Sequence, residues 1–227
     1  MESILQTNDY VGISFWLATA IMLASTVFFL AERSDVDRKW RTSLTVAALV
    51  TGMAFWHYLY MRAGWIATGE SPTVFRYIDW LITVPLQIVE FYLILAAVTV
   101  VRPVLFWKLL IASLVMLVGG YLGEAGLMAS MPAFIIGMIG WAAVIYLIFA
   151  GDAAKASVAS GNVASQTAFN AMRMIVLVGW AIYPIGYLVG DAGSADSLNI
   201  IYNLADLINK TAFGLVIWAA AVQDTKK

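Results

Sequence analysis

Cysteine is absent from the 227 residues, and histidine occurs once. The first absence removes disulfides, thiolate metal sites and thiol nucleophiles, and the second removes any multi-histidine metal site. Charge is scarce too. Only 12% of residues are Asp, Glu, Lys or Arg, against about a quarter in soluble domains. A carboxylate-only site has little to support it in so apolar a chain, so no metal is expected. The net charge of −1 identifies no partner, and no nucleic-acid partner is expected. The opening MESILQTNDY lacks the basic stretch and small-residue cleavage site of a signal peptide. A leader is therefore expected to be absent or already removed.

What remains is apolar. Hydrophobic residues make up 62% of the chain and its mean hydropathy is +0.85, which predicts an integral membrane protein in contact with lipid. Seven apolar segments stand near the ~20 residues needed to cross ~30 Å of hydrocarbon. They run over about 11–30, 42–62, 73–98, 104–123, 132–150, 168–189 and 198–222. The longest connection, 151–167, reads as an Ala/Ser/Gly-rich polar linker, and no room is left for a soluble domain. The expectation is an all-α bundle of seven transmembrane helices forming one domain over residues 1–227.

Basic residues set the orientation. Arg33, Arg38, Lys39 and Arg41 crowd the first loop, Arg102 lies in the third, Lys155 in the fifth, and Lys226 and Lys227 in the tail. The other side has Arg62 at a helix end and loops carrying Glu70, Asp191 and Asp196. The N-terminus is expected outside and the C-terminus in the cytoplasm, in agreement with an odd helix count. Pro72, Pro103 and Pro132 fall at or next to segment starts, where a missing N–H costs little, and Ser71 is placed to cap the third helix. Pro85 and Pro184 fall inside helices and should each kink the helix and free a carbonyl.

The last segment, NIIYNLADLINKTAFGLVIW, holds Asp206 and Lys210 near its middle. Four residues apart, they share one helix face within pairing reach. A structural ion pair is one explanation. The other is covalent chemistry, because a desolvated amine forms Schiff bases with aldehydes.

The third segment carries a matching stripe. From Asp79, Thr83, Gln87 and Glu90 follow at offsets of four, eight and eleven, within a narrow band of one helix face. Asp79 and Glu90 are thus roughly 16 Å apart along the axis, with Asp79 on the outer side and Glu90 on the inner side. Such a stripe cannot face lipid, so it must face the interior and Lys210. Taken singly, Thr83 could bond back to its own helix, Gln87 could be a helix–helix hydrogen bond, Glu90 could snorkel to headgroups and Arg76 could be an interfacial anchor. Taken together, they point to proton or ion movement.

These residues resemble the microbial (type 1) rhodopsins, and within them the proteorhodopsins, over essentially all seven helices. The motifs are RYIDWLITVPLQIVEFYLIL from Arg76 to Leu95, DLINK with Asp206 and Lys210, and WAIYP with Trp180, Tyr183 and Pro184. The resemblance implies a light-driven outward proton pump rather than an enzyme, multi-pass in a bacterial inner membrane. It implies all-trans-retinal bound to Lys210 as a protonated Schiff base. Asp79 would be counterion and proton acceptor, Thr83 the middle of the Asp–Thr–Glu triplet, Glu90 the donor, Asp206 the second counterion and Arg76 a stabiliser of that region. Trp80, Trp141, Trp180, Tyr183 and Pro184 would wall the pocket, and Gln87 would tune the colour toward blue. His57 would hydrogen-bond Asp79, and Trp16 would reach His57 of a neighbouring protomer in a pentameric or hexameric ring. Glu124 matches no role and reads as a solvated interface carboxylate.

A sensory photoreceptor with the same pigment and a slow cycle is the main alternative. A chloride or sodium pump is associated in the family with other residues at positions 79, 83 and 90. A non-photoactive scaffold leaves Lys210 and Asp79 without a purpose.

Overall fold

The computed structural model describes residues 5–189 and 195–226, and Asp191, Lys227 and the first four residues lie outside the described residues. All regular structure among the described residues is helical. The chain order is α1 (Tyr10–Glu32), α2 (Arg41–Thr68), α3 (Thr73–Ala96), α4 (Val104–Glu124), α5 (Ser130–Phe149), α6 (Asp152–Ser160), α7 (Val163–Met174), α8 (Ile182–Val189) and α9 (Ala195–Thr225). Seven spans are long and apolar enough to cross a membrane, with α5 and α6 forming one of them and α7 and α8 another. They alternate in direction. One end of the bundle, here the N-face, carries the start of α1, and the C-face carries the end of α9.

Most helices outrun the apolar segments because polar end turns remain helical. α1 begins where the Asp9 carboxylate accepts from Gly12 N at 2.7 Å, satisfying a first-turn donor that has no intrahelical partner. α2 runs on past Arg62 to Thr68 and stops at Gly69, whose φ of 70° suits the left-handed turn after a helix. The cap of α3 is Pro72, and no side chain caps it, so the Ser71 cap is not formed.

One further expectation changes. Residues 151–167 are not an irregular linker. α6 and α7 occupy most of the stretch and break only at Gly161–Asn162, because alanine-rich sequence favours helix even when it is polar overall. The two internal prolines also differ. α3 continues through Pro85, whereas Pro184 lies just beyond a π-helical turn at Ile175–Gly179. Trp180 N there bonds Ile175 O at 3.1 Å, and Tyr183 N bonds Trp180 O at 3.1 Å. The carbonyl that Pro184 cannot serve is thereby taken by its neighbour.

α4 and α5 are the most closely packed pair. Gly119 and Gly140 face backbone of the opposite helix so closely that a Cβ on either would collide with main-chain atoms, the small-residue contact that membrane helices use in place of a hydrophobic drive. α3 sits centrally and buries Arg76, Asp79, Thr83, Gln87 and Glu90 together, as the polar stripe requires. At the C-face, Asp224 accepts from Trp40 Nε1 (3.0 Å), Asn162 Nδ2 (2.7 Å) and Lys39 Nζ (2.7 Å). That cluster ties the first loop, the α6–α7 break and the end of α9.

Candidate functional site

Lys210 enters the interior from the middle of α9 and is 3% exposed. Its Nζ lies 2.7 Å from Asp79 Oδ2 and 2.8 Å from Asp206 Oδ2. A buried ammonium is tolerable only when so paired. The pairing comes from two sequence features, the four-residue spacing of Asp206 and Lys210 on α9 and the placement of α3 opposite them.

The two carboxylates differ in their other partners. Asp79 is fully buried. His57 Nδ1 lies 3.2 Å from its Oδ1. Thr83 Oγ1 bonds the Asp79 carbonyl at 3.0 Å and stands 3.4 Å from Oδ2, so the back-bond to its own helix and the approach to the carboxylate coexist. Asp206 accepts from Tyr58 Oη (2.9 Å), Tyr183 Oη (2.6 Å) and Trp80 Nε1 (3.2 Å). Asp206 is thus held by three fixed donors besides Lys210.

Arg76 is buried but pairs with neither carboxylate. Its Nη2 donates to Asn199 Oδ1 and Asn203 Oδ1, both at 2.8 Å, and its Cζ lies 5.7 Å and 5.5 Å from the Phe15 and Tyr202 ring centroids. Asn203 in turn donates to Ser14 Oγ at 2.9 Å. The guanidinium stands between the Asp79–Asp206–Lys210 group and the N-face.

Glu90, eleven residues along α3 toward the C-face, has different surroundings. It is 1% exposed, and neither carboxyl oxygen makes a hydrogen bond; Ser43 of α2 is the polar side chain that faces it. The adjacent Phe91 packs edge-on against Phe169 and Phe213.

A cavity has Lys210 and Asp206 in its lining. Trp80, Trp180, Trp141 and Tyr183 wall it, Pro184 and Gln87 line it, and Gly120 and Gly137 leave room on the α4–α5 side. Trp141 Nε1 bonds Val176 O at 3.2 Å, which fixes that ring. Gln87 Nε2 bonds Asn209 O at 3.4 Å. A cavity walled by aromatic rings, with one amine in its lining, fits an apolar aldehyde such as retinal, by the usual pattern of ligand pockets.

The expected pocket residues Trp80, Gln87, Trp141, Trp180, Tyr183 and Pro184 line this cavity with Asp206 and Lys210. Asp79, His57 and Thr83 gather at the amine. Arg76 and Glu90 lie apart, toward the N-face and the C-face. Trp16 is 42% exposed and stacks under Arg62, whose Cζ is 4.7 Å from its ring. Glu124 departs from the reading as a solvated interface carboxylate, since it accepts from Tyr77 Oη at 3.0 Å and is half-buried. Tyr58, Asn199 and Asn203 are site residues beyond those expected, and Asn209, outside the cavity lining, borders the site through Gln87 and Tyr183. Asn199, Asn203, Asp206 and Lys210 follow a 4-3-4 spacing, a polar stripe that the α9 sequence does display.

The family description Bacteriorhodopsin-like protein matches residues 9–224. The chain is 61% identical to the green-light absorbing proteorhodopsin of Gamma-proteobacterium EBAC31A08, over 97% of this chain and 90% of that protein. It is also 61% identical to the blue-light absorbing proteorhodopsin of Gamma-proteobacterium Hot 75m4, with the same coverage. The crystal structure of the blue light-absorbing proteorhodopsin from Med12 superposes with a TM-score of 0.82 at 66% identity, covering 95% of this chain and 99% of that one. The chain belongs to the bacteriorhodopsin-like family and, within it, to the proteorhodopsins.

Proposed function

We propose that the protein is a light-driven outward proton pump, blue-absorbing, with all-trans-retinal carried on Lys210. The observation that carries this reading is the asymmetry of the two α3 carboxyls. Asp79 touches Nζ of Lys210, and Glu90 is buried without a hydrogen bond toward the C-face. With the N-face outside, as the basic residues of the first loop and tail favour, an acceptor lies outward of the amine and a donor inward. Bound retinal would absorb the photon and present a proton at Nζ.

Asp79 is the group placed to take that proton. A proton arriving at Asp206 would have to displace one of three fixed donors, whereas Asp79 Oδ2 faces Lys210 with only the long Thr83 contact beside it. His57 steadies the other oxygen of Asp79. Glu90 suits a group that carries a proton rather than a charge between turnovers, since a buried carboxylate with no ion pair or hydrogen bond is costly. Arg76 places a fixed positive charge between the acceptor and the outer surface. The Gln87 amide, polar and at the cavity wall, favours the ground-state charge distribution of a polyene and so a shorter absorption wavelength.

The exposed Trp16 supports contact between copies of the chain, with Trp16 near His57 of the neighbour in a pentameric or hexameric ring. A bacterial inner membrane is the setting in which outward pumping stores energy. Against 100 mV each exported charge costs about 2.3 kcal/mol, so directionality rather than energy is the demand on the protein. The test is external pH in retinal-fed bacterial cells with light switched on and off. Acidification abolished by a protonophore is expected. A coloured sample without a pH change overturns pumping in favour of light sensing, and alkalinisation enhanced by a protonophore means that another ion moves.

A further inference from the structure

The break in the sixth transmembrane helix leaves one carbonyl without its usual main-chain partner. In an unbroken α-helix Tyr183 N would bond Gly179 O, but after the π-helical turn it bonds Trp180 O instead. Gly179 O is served from another helix, by Asn209 Nδ2 at 3.1 Å. Asn209 is buried and immediately precedes Lys210. The same amide nitrogen lies 3.4 Å from Tyr183 Oη, and Tyr183 Oη donates to Asp206 Oδ1 at 2.6 Å. Two residues of α9 that precede Lys210, Asp206 and Asn209, therefore grip the broken segment at its two ends. The fit is tight on the far side as well, because a Cβ on Gly179 would run into the Asn209 side chain. From α3, Gln87 Nε2 reaches the Asn209 carbonyl at 3.4 Å.

We propose that Asn209 is a positioning residue that couples the Lys210 backbone to the break in the sixth transmembrane helix, delivering displacement at Lys210 to residues 179–183. The inference rests on the reading of Lys210 as the chromophore attachment. A rigid helix would spread such a displacement along its length, whereas a π-helical turn followed by a proline is a local discontinuity at which small changes are taken up. The amide is suited to the role. It donates to a carbonyl that the break itself exposes, so the bond exists only while the break keeps its resting shape. Asn209 touches no reacting atom and is not a catalytic residue.

The test is hydrogen exchange of the peptide spanning residues 175–185 in retinal-loaded protein, dark and under continuous light. In the unmodified protein, light is expected to change exchange in this peptide about threefold or more, as for a local opening. Asn209→Leu, close in size but without a donor, is expected to keep a visible pigment and lose the light dependence. Gly179→Ala breaks the same bond without altering α9, and keeps the test open should Asn209→Leu form no pigment. The pair Asn209→Ala with Gly179→Ala separates coupling from packing. Its added methyl occupies the space that Asn209 vacates, so the thermal midpoint is expected to recover relative to Gly179→Ala while the light dependence stays lost.

Light dependence that persists in Asn209→Leu overturns the proposal. So does light dependence that returns together with packing in the double variant, because a purely structural role would behave that way. A pigment whose 175–185 peptide never responds to light overturns it too, leaving the chromophore reading intact. Unmodified protein that forms no pigment overturns the chromophore reading itself.

Discussion

The two carboxyls of α3 occupy opposite kinds of surroundings. On the N-face side, Asp79 belongs to a group in which Lys210, Asp206, His57, Tyr58, Tyr183 and Trp80 are joined by contacts of 2.6–3.2 Å. On the C-face side, Glu90 is buried, forms no hydrogen bond and faces Ser43 of α2. One carboxyl is held by polar bonds and the other is buried without them. A charge can rest on the first and would be expensive on the second. On the proposed reading, this asymmetry between two carboxyls of one helix is what would give proton movement its direction.

The contrast can be broken most completely at its shared element. Lys210→Ala is expected to give a colourless protein with no light response, read by absorption after retinal is added; a normal visible band in that variant would refute the attachment site. Asp79→Asn keeps the shape of the polar group and removes its acceptor. Transport is expected to stop and the absorption band to move to longer wavelength, because the ground state loses its counterion.

Glu90→Gln tests the second carboxyl alone. Loss of proton at Nζ should proceed as before while recovery slows, on the order of a hundredfold if Glu90 supplies general acid catalysis; unchanged recovery in flash spectroscopy would remove Glu90 from the path. Tyr58→Phe withdraws one donor from buried Asp206 and is expected to cost about 1–3 kcal/mol of stability, read as a lower thermal midpoint with the pigment still formed. The smallest effect expected is that of Gln87→Leu, a shift to longer wavelength with pumping retained. A shift in the opposite direction would deny Gln87 its part in the colour.

Much of this asymmetry is legible in the sequence, because it rests on one helix. Asp79, Thr83, Gln87 and Glu90 share a face by spacing alone, and seven hydropathic runs fix the number of spans. The pairing of Asp206 with Lys210 follows from a separation of four residues. Other features depend on which helices meet. Tyr58 lies on α2 with nothing local to mark it, and it becomes a partner of Asp206 only when α2 packs against α9. Arg76 reads as a neighbour of Asp79 on α3, yet its side chain turns to Asn199 and Asn203 of α9. Asn209 is the least legible, since its role requires a π-helical turn in another helix. Residues 151–167 were obscured for a simpler reason, because polarity masks helix propensity in a hydropathy profile.

The glycine contact between α4 and α5 bears on how this bundle is able to change shape. With main chains pressed together at Gly119 and Gly140, neither helix has side-chain cushioning through which to slide or tilt against the other. The two act as a single slab forming one side of the cavity. A slab of that kind works as an abutment: when whatever fills the cavity lengthens, bends or rotates, the reaction force returns to the more yielding elements that line it. One of these is the segment beside α5 whose backbone already carries a π-helical turn and a proline, where strain is most cheaply relieved.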